Sequence, residues 1–354
     1  MLRTLGVVFL LVSLAVALLV GDAHRQLAMP ISIGQLSSES DSGAPQHDTL
    51  QKYRWQIDRG SSLTGVALKL HAAGVIRSPD TWVLYAKLSG KTRIQAGSYW
   101  LSSGDSAITL LDRFSHGDVI IDRVTFPEGW NFAQWRTRLQ SHAQFKAIAE
   151  LSNEQLLSDA GIDNIHPEGW FFPDTYTYTT GDNAADILGR AHQKMQNILR
   201  EKWSQRASGL PYNTAYEALI LASIVEKETG LAEERAEIAG VFVRRLKRGM
   251  RLQTDPTVIY GLGAEFNGNL RRSHLRQKTA YNTYMIQGLP PTPIAMPSAA
   301  AIESALHPKA GASLYFVARG DGGHVFSNNL SDHERAVRQY QVFQRSKDYT
   351  SVAK

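Results

Sequence analysis

Three ionisable side chains, Glu226, Lys227 and Glu228, follow an almost wholly apolar segment, Ala218–Val225. Each helical residue advances by about 100°, so Glu226 and Glu228 point about 200° apart and cannot share a face. Glu228 falls within an apolar stripe, in line with Leu221, Ile224 and Val225. Glu226 falls on the other side of the helix. The Glu228 carboxyl group is therefore expected to project from an apolar surface.

A carboxyl group in such a place is either paired with a cation or has a raised pKa. The negative end of the helix dipole disfavours the carboxylate further. Both effects favour a protonated acid near neutral pH, which a general acid acting on a glycosidic oxygen requires. The alternative is a structural ion pair with Arg235, Arg244 or Arg245. The pattern alone leaves both interpretations open.

The elements that must position this acid can be predicted locally. Thr214-Ala-Tyr-Glu217 is typical of a capping box, and Gly230 suits the position after a helix end. The run between them predicts a helix that is buried on most sides. The next predicted helix, Glu233–Arg248, ends in a cluster of basic residues. Basic side chains interact favourably with the negative end of the helix dipole, and this explanation is preferred to an anion-binding site.

Composition excludes several other kinds of chemistry. The 354 residues are 43% hydrophobic and 20% charged, as in ordinary globular proteins, and they contain no Cys. Disulfides, thiolate nucleophiles and iron–sulfur clusters are therefore excluded. The net charge of +5 is not packed into runs, which argues against nucleic acid as a partner. No metalloprotease, serine-hydrolase, P-loop or dinucleotide motif is present, so we predict neither a metal nor a cofactor.

The first twenty residues bear on location. Leu5–Val20 carries no charge and would span about 24 Å as a helix, slightly less than the roughly 30 Å of a bilayer core. The segment is either a membrane anchor (residues 1–22) or a cleaved signal, and both place the remainder outside the cytoplasm. Residues 23–51 are rich in Ser, Gly, Pro and Asp, which predicts a flexible tether.

The remainder predicts an α+β fold in two parts. Strand, glycine-containing turn and short helix recur about three times between residues 53 and 141, with Asp80 as a helix cap and Val119–Phe126 as the third strand. Residues 52–142 are therefore either a LysM-like glycan-binding module or a generic α+β spacer. Residues 143–346 form the larger mixed domain, which begins with a mostly helical stretch, Ala143–Ile165. Residues 347–354 form a tail.

Several motifs follow one another along the chain: Glu168–Asp174, Leu221–Thr229, Leu252–Gly261, Thr279–Tyr284, Gly288–Pro291, Tyr315–Val317 and Gly323–Phe326. Together they resemble those of the MltG (YceG-like) endolytic murein transglycosylases. Thr292 and Met296 depart from the Gly and Asn or Thr that are frequent in the family's proline loop.

The resemblance implies a single-pass inner-membrane protein with most of its chain in the periplasm. It would cleave the MurNAc–GlcNAc bond within peptidoglycan strands and leave 1,6-anhydroMurNAc ends, with cell-wall synthases as partners. It also implies that the catalytic acid is Glu228, the residue that the helical arrangement selects independently. Glu226 would support the site or contact substrate.

Candidates for lining the sugar subsites are the polar and aromatic residues at loop ends: Gln253, Asp255, Tyr260, Tyr281, Asn282 and His324. Two other functions remain open at this point. One is a non-catalytic, membrane-tethered scaffold that binds peptidoglycan, and the other is a muramidase that hydrolyses the same bond.

Overall fold

The computed structural model of the chain describes residues 20–33 and 52–343. The apolar segment Leu5–Val20 and the tail 347–354 therefore lie outside the described residues, apart from Val20 itself. Among the helices of the described ranges, none is both long and apolar enough to cross a membrane. The membrane anchor remains a prediction from sequence.

The chain divides into two compact units. The small unit contains the described residues up to Arg123 and a return segment, Thr177–Asp182. The large unit contains Val124–Tyr176 and the described residues from Asn183 onward. The chain thus passes between the units three times.

The small unit pairs two antiparallel strands, with Lys52 opposite Ser102 and Ile57 opposite Gly97. Its second helix is capped by Ser78, whose hydroxyl accepts the Thr81 N–H, and not by Asp80 as expected, because Pro79 already occupies the first helical turn. In order, the elements are β1 (Lys52–Ile57), α1 (Leu63–Ala72), α2 (Pro79–Leu88), β2 (Gly97–Ser102) and α3 (Ala107–His116).

The segment expected to be a flexible tether is partly packed. Leu27, Ile31 and Ile33 are buried in the core of the small unit, and the Ile31 N–H donates to the Asp105 carbonyl at 2.8 Å. Their apolar side chains supply enough surface to hold residues 27–33 against the unit. The predicted start of the tether at residue 23 is therefore wrong, and its remainder, residues 34–51, lies outside the described residues.

The boundary between the units also differs from the expected position at residue 142. Phe126 stacks on Trp135 with ring centroids 3.7 Å apart, and Trp135 lies 5.8 Å from Phe171. Because the Trp135–Phe171 contact joins this stretch to a later part of the chain, the boundary falls after Arg123. The expected third strand is also shorter. It is β3 (Asp122–Thr125), which pairs with β4 (Thr175–Tyr178).

The large unit is mainly helical, with a terminal antiparallel hairpin that the Gly-rich turn predicted. The stretch 143–165, which was expected to be mostly helical, contains a 3₁₀ helix, Ala143–Glu150, and one short α-helix. The elements are α4 (Phe132–Gln140), α5 (Asn153–Asp159), α6 (Ala184–Ser204), α7 (Ala215–Glu228), α8 (Ala232–Lys247), α9 (Asp255–Leu262), α10 (Arg272–Arg276), α11 (Ala299–Leu306), β5 (Tyr315–Ala318), β6 (His324–Ser327) and α12 (Leu330–Val337). The mixed α+β class is confirmed.

Helix α7 is the centre of the large unit. Its predicted capping box forms, with Thr214 accepting the Glu217 N–H. Every residue of Ala218–Val225 is buried, on all sides of the helix. The helix ends where Thr229 becomes extended, and Gly230 follows it at the expected position, without a left-handed φ. The end of this fully covered helix carries Glu226, Lys227 and Glu228.

The aromatic stack around Trp135 is expected to be a main source of stability in the large unit. Trp135 has no exposed surface, so Trp135→Ala should lower the free energy of unfolding by about 3–5 kcal/mol through lost burial and a cavity. Trp100, which is 37% exposed in the small unit, is the matched control. Guanidinium unfolding followed by circular dichroism measures both, and equal effects of the two variants would contradict the role of the stack.

Candidate active site

Glu228 ends α7 and is held by a neighbouring turn. The Thr254 hydroxyl donates to Glu228 Oε1, and no residue in the described ranges is bonded to the second oxygen of the carboxyl group. Burial raises the pKa of Glu228 to about 7, and the nearby Asp255 carboxylate adds to this. The Thr254 hydrogen bond and the more distant Arg245 act in the opposite direction. A substantial fraction of Glu228 is therefore protonated at neutral pH, as the helix pattern predicted.

The turn that brings Thr254 to Glu228 is itself rigid. Gln253 takes a left-handed φ of 52°, which costs a non-glycine residue about 1–2 kcal/mol. Its N–H donates to the Thr283 carbonyl at 3.2 Å, and the Thr254 N–H donates to the Thr283 hydroxyl at 3.1 Å. Thr254, Thr257 and Thr283 are all buried, so this hydroxyl network fixes the partner of the acid.

The alternative of a structural ion pair is not supported. The Arg245 guanidinium donates to backbone carbonyls, with Nε 2.7 Å from the Leu314 oxygen and Nη1 2.8 Å from the Leu252 oxygen. Arg244 pairs with Glu237 at 3.2 Å. No salt bridge found within residues 20–33 and 52–343 includes Glu228. The acid is therefore held by a hydroxyl group and not by a cation.

Glu226, two residues earlier, does a different job. Its Oε2 accepts the Ser298 N–H at 3.0 Å and the Ser298 hydroxyl at 2.5 Å. Ser298 in turn caps α11 by accepting the Ala301 N–H. Glu226 thus stabilises the start of a packed helix, and a role in substrate binding stays a prediction.

A large cleft with a volume of 2040 Å³ lies within the large unit, next to the end of α7. Parts of residues 129–136, 153–168 and 255–281 line it. Lys227 and Asp255 lie on its wall, while Glu228, which is bonded to Thr254, adjoins the cleft without forming its lining. This volume exceeds that of typical small-molecule pockets and suits a polymer.

Three of the predicted substrate-binding residues line this cleft: Asp255, Tyr260 and Tyr281. The Tyr284 hydroxyl donates to Asp255 Oδ1 at 2.7 Å. Burial raises the pKa of Asp255, and this hydrogen bond lowers it. The rings of Tyr260 and Tyr281 meet edge to face at 4.9 Å and form an aromatic surface on which a sugar ring can pack.

The other three, Gln253, Asn282 and His324, do not line the cleft. Gln253 is the strained residue of the turn described above. Asn282 has no exposed surface, and its amide donates to backbone carbonyls, including Gln277 at 2.6 Å. His324 is bonded to the Glu234 carboxylate through its N–H at 2.9 Å and its ring at 2.7 Å. These residues shape the surrounding loops.

Glu168 is the main wall residue that the list of candidates lacked. It is 3% exposed, and it accepts the Phe132 N–H at 3.1 Å and the Tyr260 hydroxyl at 3.0 Å. Burial raises its pKa to about 7, against the lowering effect of both hydrogen bonds. The sequence did contain a signal, because Glu168 is a lone acid at the head of an aromatic, proline-bounded stretch.

Lys227 also lines the cleft and was not predicted. Its Nζ lies 3.2 Å from the Gly129 carbonyl oxygen, and burial lowers its pKa. The same Gly129 donates its N–H to the Met296 carbonyl at 2.9 Å. Met296, one of the two departures in the proline loop, thus ties that loop to the cleft wall. The other departure, Thr292, shares a hydrogen bond of 2.8 Å with the Tyr281 hydroxyl.

Comparison with known proteins adds four findings. The model of the YceG-like family matches residues 55–339. A Bacillus subtilis protein named endolytic murein transglycosylase is 31% identical over 302 residues, which cover 80% of this chain and 83% of the relative. A Streptococcus pneumoniae protein of the same name is 29% identical over 80% of this chain, which spans 57% of that longer relative.

One solved structure, of a YceG-like protein from Listeria monocytogenes, is 28% identical to this chain. The match covers 80% of this chain and 98% of the other, with a TM-score of 0.48.

Replacement of Glu228 is expected to change how stability depends on pH. Because its pKa of about 7 in the folded protein lies above the ordinary 4.5, folding favours the protonated form. The associated stability is complete below pH 4.5 and is lost as pH rises through 7. Glu228→Gln should therefore flatten the fall in Tm between about pH 5 and pH 8, and the exposed Glu201→Gln should not. Parallel curves for wild type and Glu228→Gln would contradict the burial of this acid.

Proposed function

This chain belongs to the YceG-like family, and we infer from that membership that it is an endolytic murein transglycosylase. Such an enzyme is a lyase that acts on peptidoglycan. The observation that carries the assignment to this site is the Glu228 carboxyl group, whose pKa is about 7, beside a cleft of 2040 Å³. A protonated acid next to a polymer-sized cleft is what non-hydrolytic cleavage of a glycan requires.

The reaction needs two proton transfers, and Glu228 takes part in both. Glu228 gives its hydrogen to the oxygen that joins C1 of MurNAc to GlcNAc, and the C1–oxygen bond breaks as C1 becomes oxocarbenium-like. The muramoyl 6-oxygen then attacks C1 and forms the anhydro bond, while its hydrogen passes to the Glu228 carboxylate. The acid is regenerated, and no water is consumed. Oε1 is bonded to Thr254, and the second oxygen, which has no partner in the described ranges, is the one proposed to carry the proton.

A single carboxyl group is sufficient for this chemistry. Hydrolases use two carboxylates because one must act as nucleophile or activate water. Here the nucleophile is part of the substrate, and a tethered group has the effective concentration of an intramolecular reaction. The Tyr260–Tyr281 surface and Asp255 are the proposed contacts to the sugars.

The proposed location rests on the sequence. Residues 1–22 would anchor the protein in the inner membrane, and the remaining chain would lie in the periplasm, where nascent glycan strands are made. The small unit is proposed as a LysM-like module that holds the strand. Cell-wall synthases are the proposed protein partners.

Glu228→Gln tests the catalytic role. Loss of general acid catalysis should reduce release of anhydro-ended fragments from purified sacculi by about 10²–10⁴-fold, while binding to sacculi persists. Glu201→Gln, on the exposed face of α6, is the control and should retain the wild-type rate. Mass spectrometry of the products measures both. Release at the wild-type rate by the Glu228→Gln variant would exclude Glu228 as the acid.

The same spectra separate the alternative functions. A muramidase would leave reducing MurNAc ends in place of anhydro ends. A scaffold would bind sacculi and release nothing, even as the wild type.

The pH dependence gives an independent check. Because Glu228 must carry a proton, kcat/KM should fall about tenfold per unit as pH rises above about 7. Initial rates on solubilised glycan strands between about pH 7 and pH 9 would show this limb. Rates that stay flat across this range would mean that the acid has a much higher pKa or is another residue.

A further inference from the structure

Glu168 is a buried carboxyl group in the cleft wall that the reaction above does not use. Its two oxygens have different partners, since Oε1 faces the Phe132 N–H and Oε2 faces the Tyr260 hydroxyl. Phe132 is the first residue of α4, so its N–H has no partner within that helix. A backbone N–H can only donate, and Oε1 therefore always accepts.

The ionised carboxyl group fixes the direction of the Tyr260 hydroxyl. Oε2 can then only accept, so the phenol hydrogen must point at Glu168. The Thr292 hydroxyl is a second hydrogen-bonding neighbour of the phenol oxygen, and the remaining lone pair is left for a donor in the cleft. The Tyr260 ring is also packed edge to face on Tyr281, whose own hydroxyl is bonded to Thr292. The phenol oxygen therefore has a defined place and a defined polarity.

We propose that Glu168 is a positioning residue for the cleavage reaction and acts through Tyr260. The Glu168 carboxylate holds the phenol hydrogen, so that the phenol oxygen meets the glycan only as a hydrogen-bond acceptor. Its ligand is a donor of the sugar, a hydroxyl group or an acetamido N–H. This inference rests on the proposed function. It adds a second requirement at the same cleft, since Glu228 must be protonated and Glu168 must be ionised.

Protonation of Glu168 would reverse the arrangement. The proton must sit on Oε2, because Oε1 faces an N–H donor. Oε2 would then donate to the phenol oxygen, and the phenol hydrogen would turn into the cleft. The phenol would then present a donor to the sugar and no longer an acceptor. Burial raises the pKa of Glu168 to about 7, so this reversal falls in the working range of pH.

Some of the titratable groups around Glu168 are uncharged at neutral pH, and others along the cleft wall are charged. Burial lowers the pKa of His166, whose Nδ1 accepts the Glu168 N–H at 3.3 Å, and this keeps the imidazole neutral. Burial raises the pKa of Tyr216 on α7, which keeps that phenol protonated. The remaining groups along the cleft wall are Tyr260 and Tyr281 at the site itself and the charged side chains Arg136, Glu154, Asp163, Lys227 and Asp255.

Activity should therefore need Glu168 ionised and Glu228 protonated. In the wild type, kcat/KM should fall about tenfold per unit below about pH 7 because of Glu168, and above about pH 7 because of Glu228. The two limbs belong to different residues and can be removed separately.

The experiment compares the full-length wild type with Glu168→Gln, Tyr260→Phe and the double variant. The probe is solubilised peptidoglycan strands, and anhydro product is measured between about pH 5 and pH 9. In Glu168→Gln, the new amide can donate to the phenol oxygen and reverse it, while Tyr260→Phe removes the acceptor. Each single variant should lose about 10–100-fold in kcat/KM at about pH 7.5 and should lack the acid limb, while the basic limb remains.

The double variant distinguishes positioning from mere stability. If Glu168 acts through Tyr260, the double variant should be no worse than the poorer single variant. Tyr260→Phe leaves the Glu168 contact with Phe132 in place, so it tests the role of the phenol even if Glu168→Gln folds poorly. Tm measurements on all four proteins show whether folding is affected.

Two outcomes would overturn the inference. One is a wild-type acid limb in Glu168→Gln or in Tyr260→Phe, and the other is a double variant whose loss is the product of the single losses. Failure of the proposed function is a different result, namely a wild type that produces no anhydro ends.

Discussion

Burial of the apolar helix α7 is the constraint on which the site in the large unit depends. A carboxylate loses hydration when it is buried, so its proton is held at higher pH than in solution. Helix α7 is buried on all sides through Ala218–Val225, and Glu228 at its end is half-buried, which is enough to raise the pKa of its carboxyl group. The same apolar surface that stabilises the helix therefore keeps the acid protonated, and folding and reactivity have one physical origin.

The last turn of α7 joins three separate segments. Glu226 bonds Ser298, Lys227 bonds the Gly129 carbonyl, and Glu228 accepts the Thr254 hydroxyl. Three consecutive residues thus connect the start of α11, the loop before α4 and the turn before α9. Because successive helical residues point about 100° apart, a single turn can reach all three sides. Each of the three charged residues in this motif therefore contacts a different segment.

Local patterns predicted α7, its capping box, the opposite faces of Glu226 and Glu228, and the final hairpin. They could not reveal contacts between distant residues. Glu168 meets Phe132 and Tyr260 across 36 and 92 positions, and His324 meets Glu234 across 90. Asn282 has the composition of a sugar contact but is wholly buried, because three backbone carbonyls surround its amide. The periodicity of apolar residues predicts the face of a helix on which a side chain lies. The residues that pack against that face are known only from the folded structure.

The return segment Thr177–Asp182 has a consequence for protein engineering. Thr180 shares a hydrogen bond of 2.6 Å with Ser98, and the Gly181 carbonyl accepts from Arg59 at 2.8 Å, so the small unit is completed by residues from the middle of the chain. A fragment that stops at Arg123 lacks them. The small unit is therefore not a linear cassette, and transplanting it into another protein requires a two-piece graft or a circularly permuted version that carries both pieces.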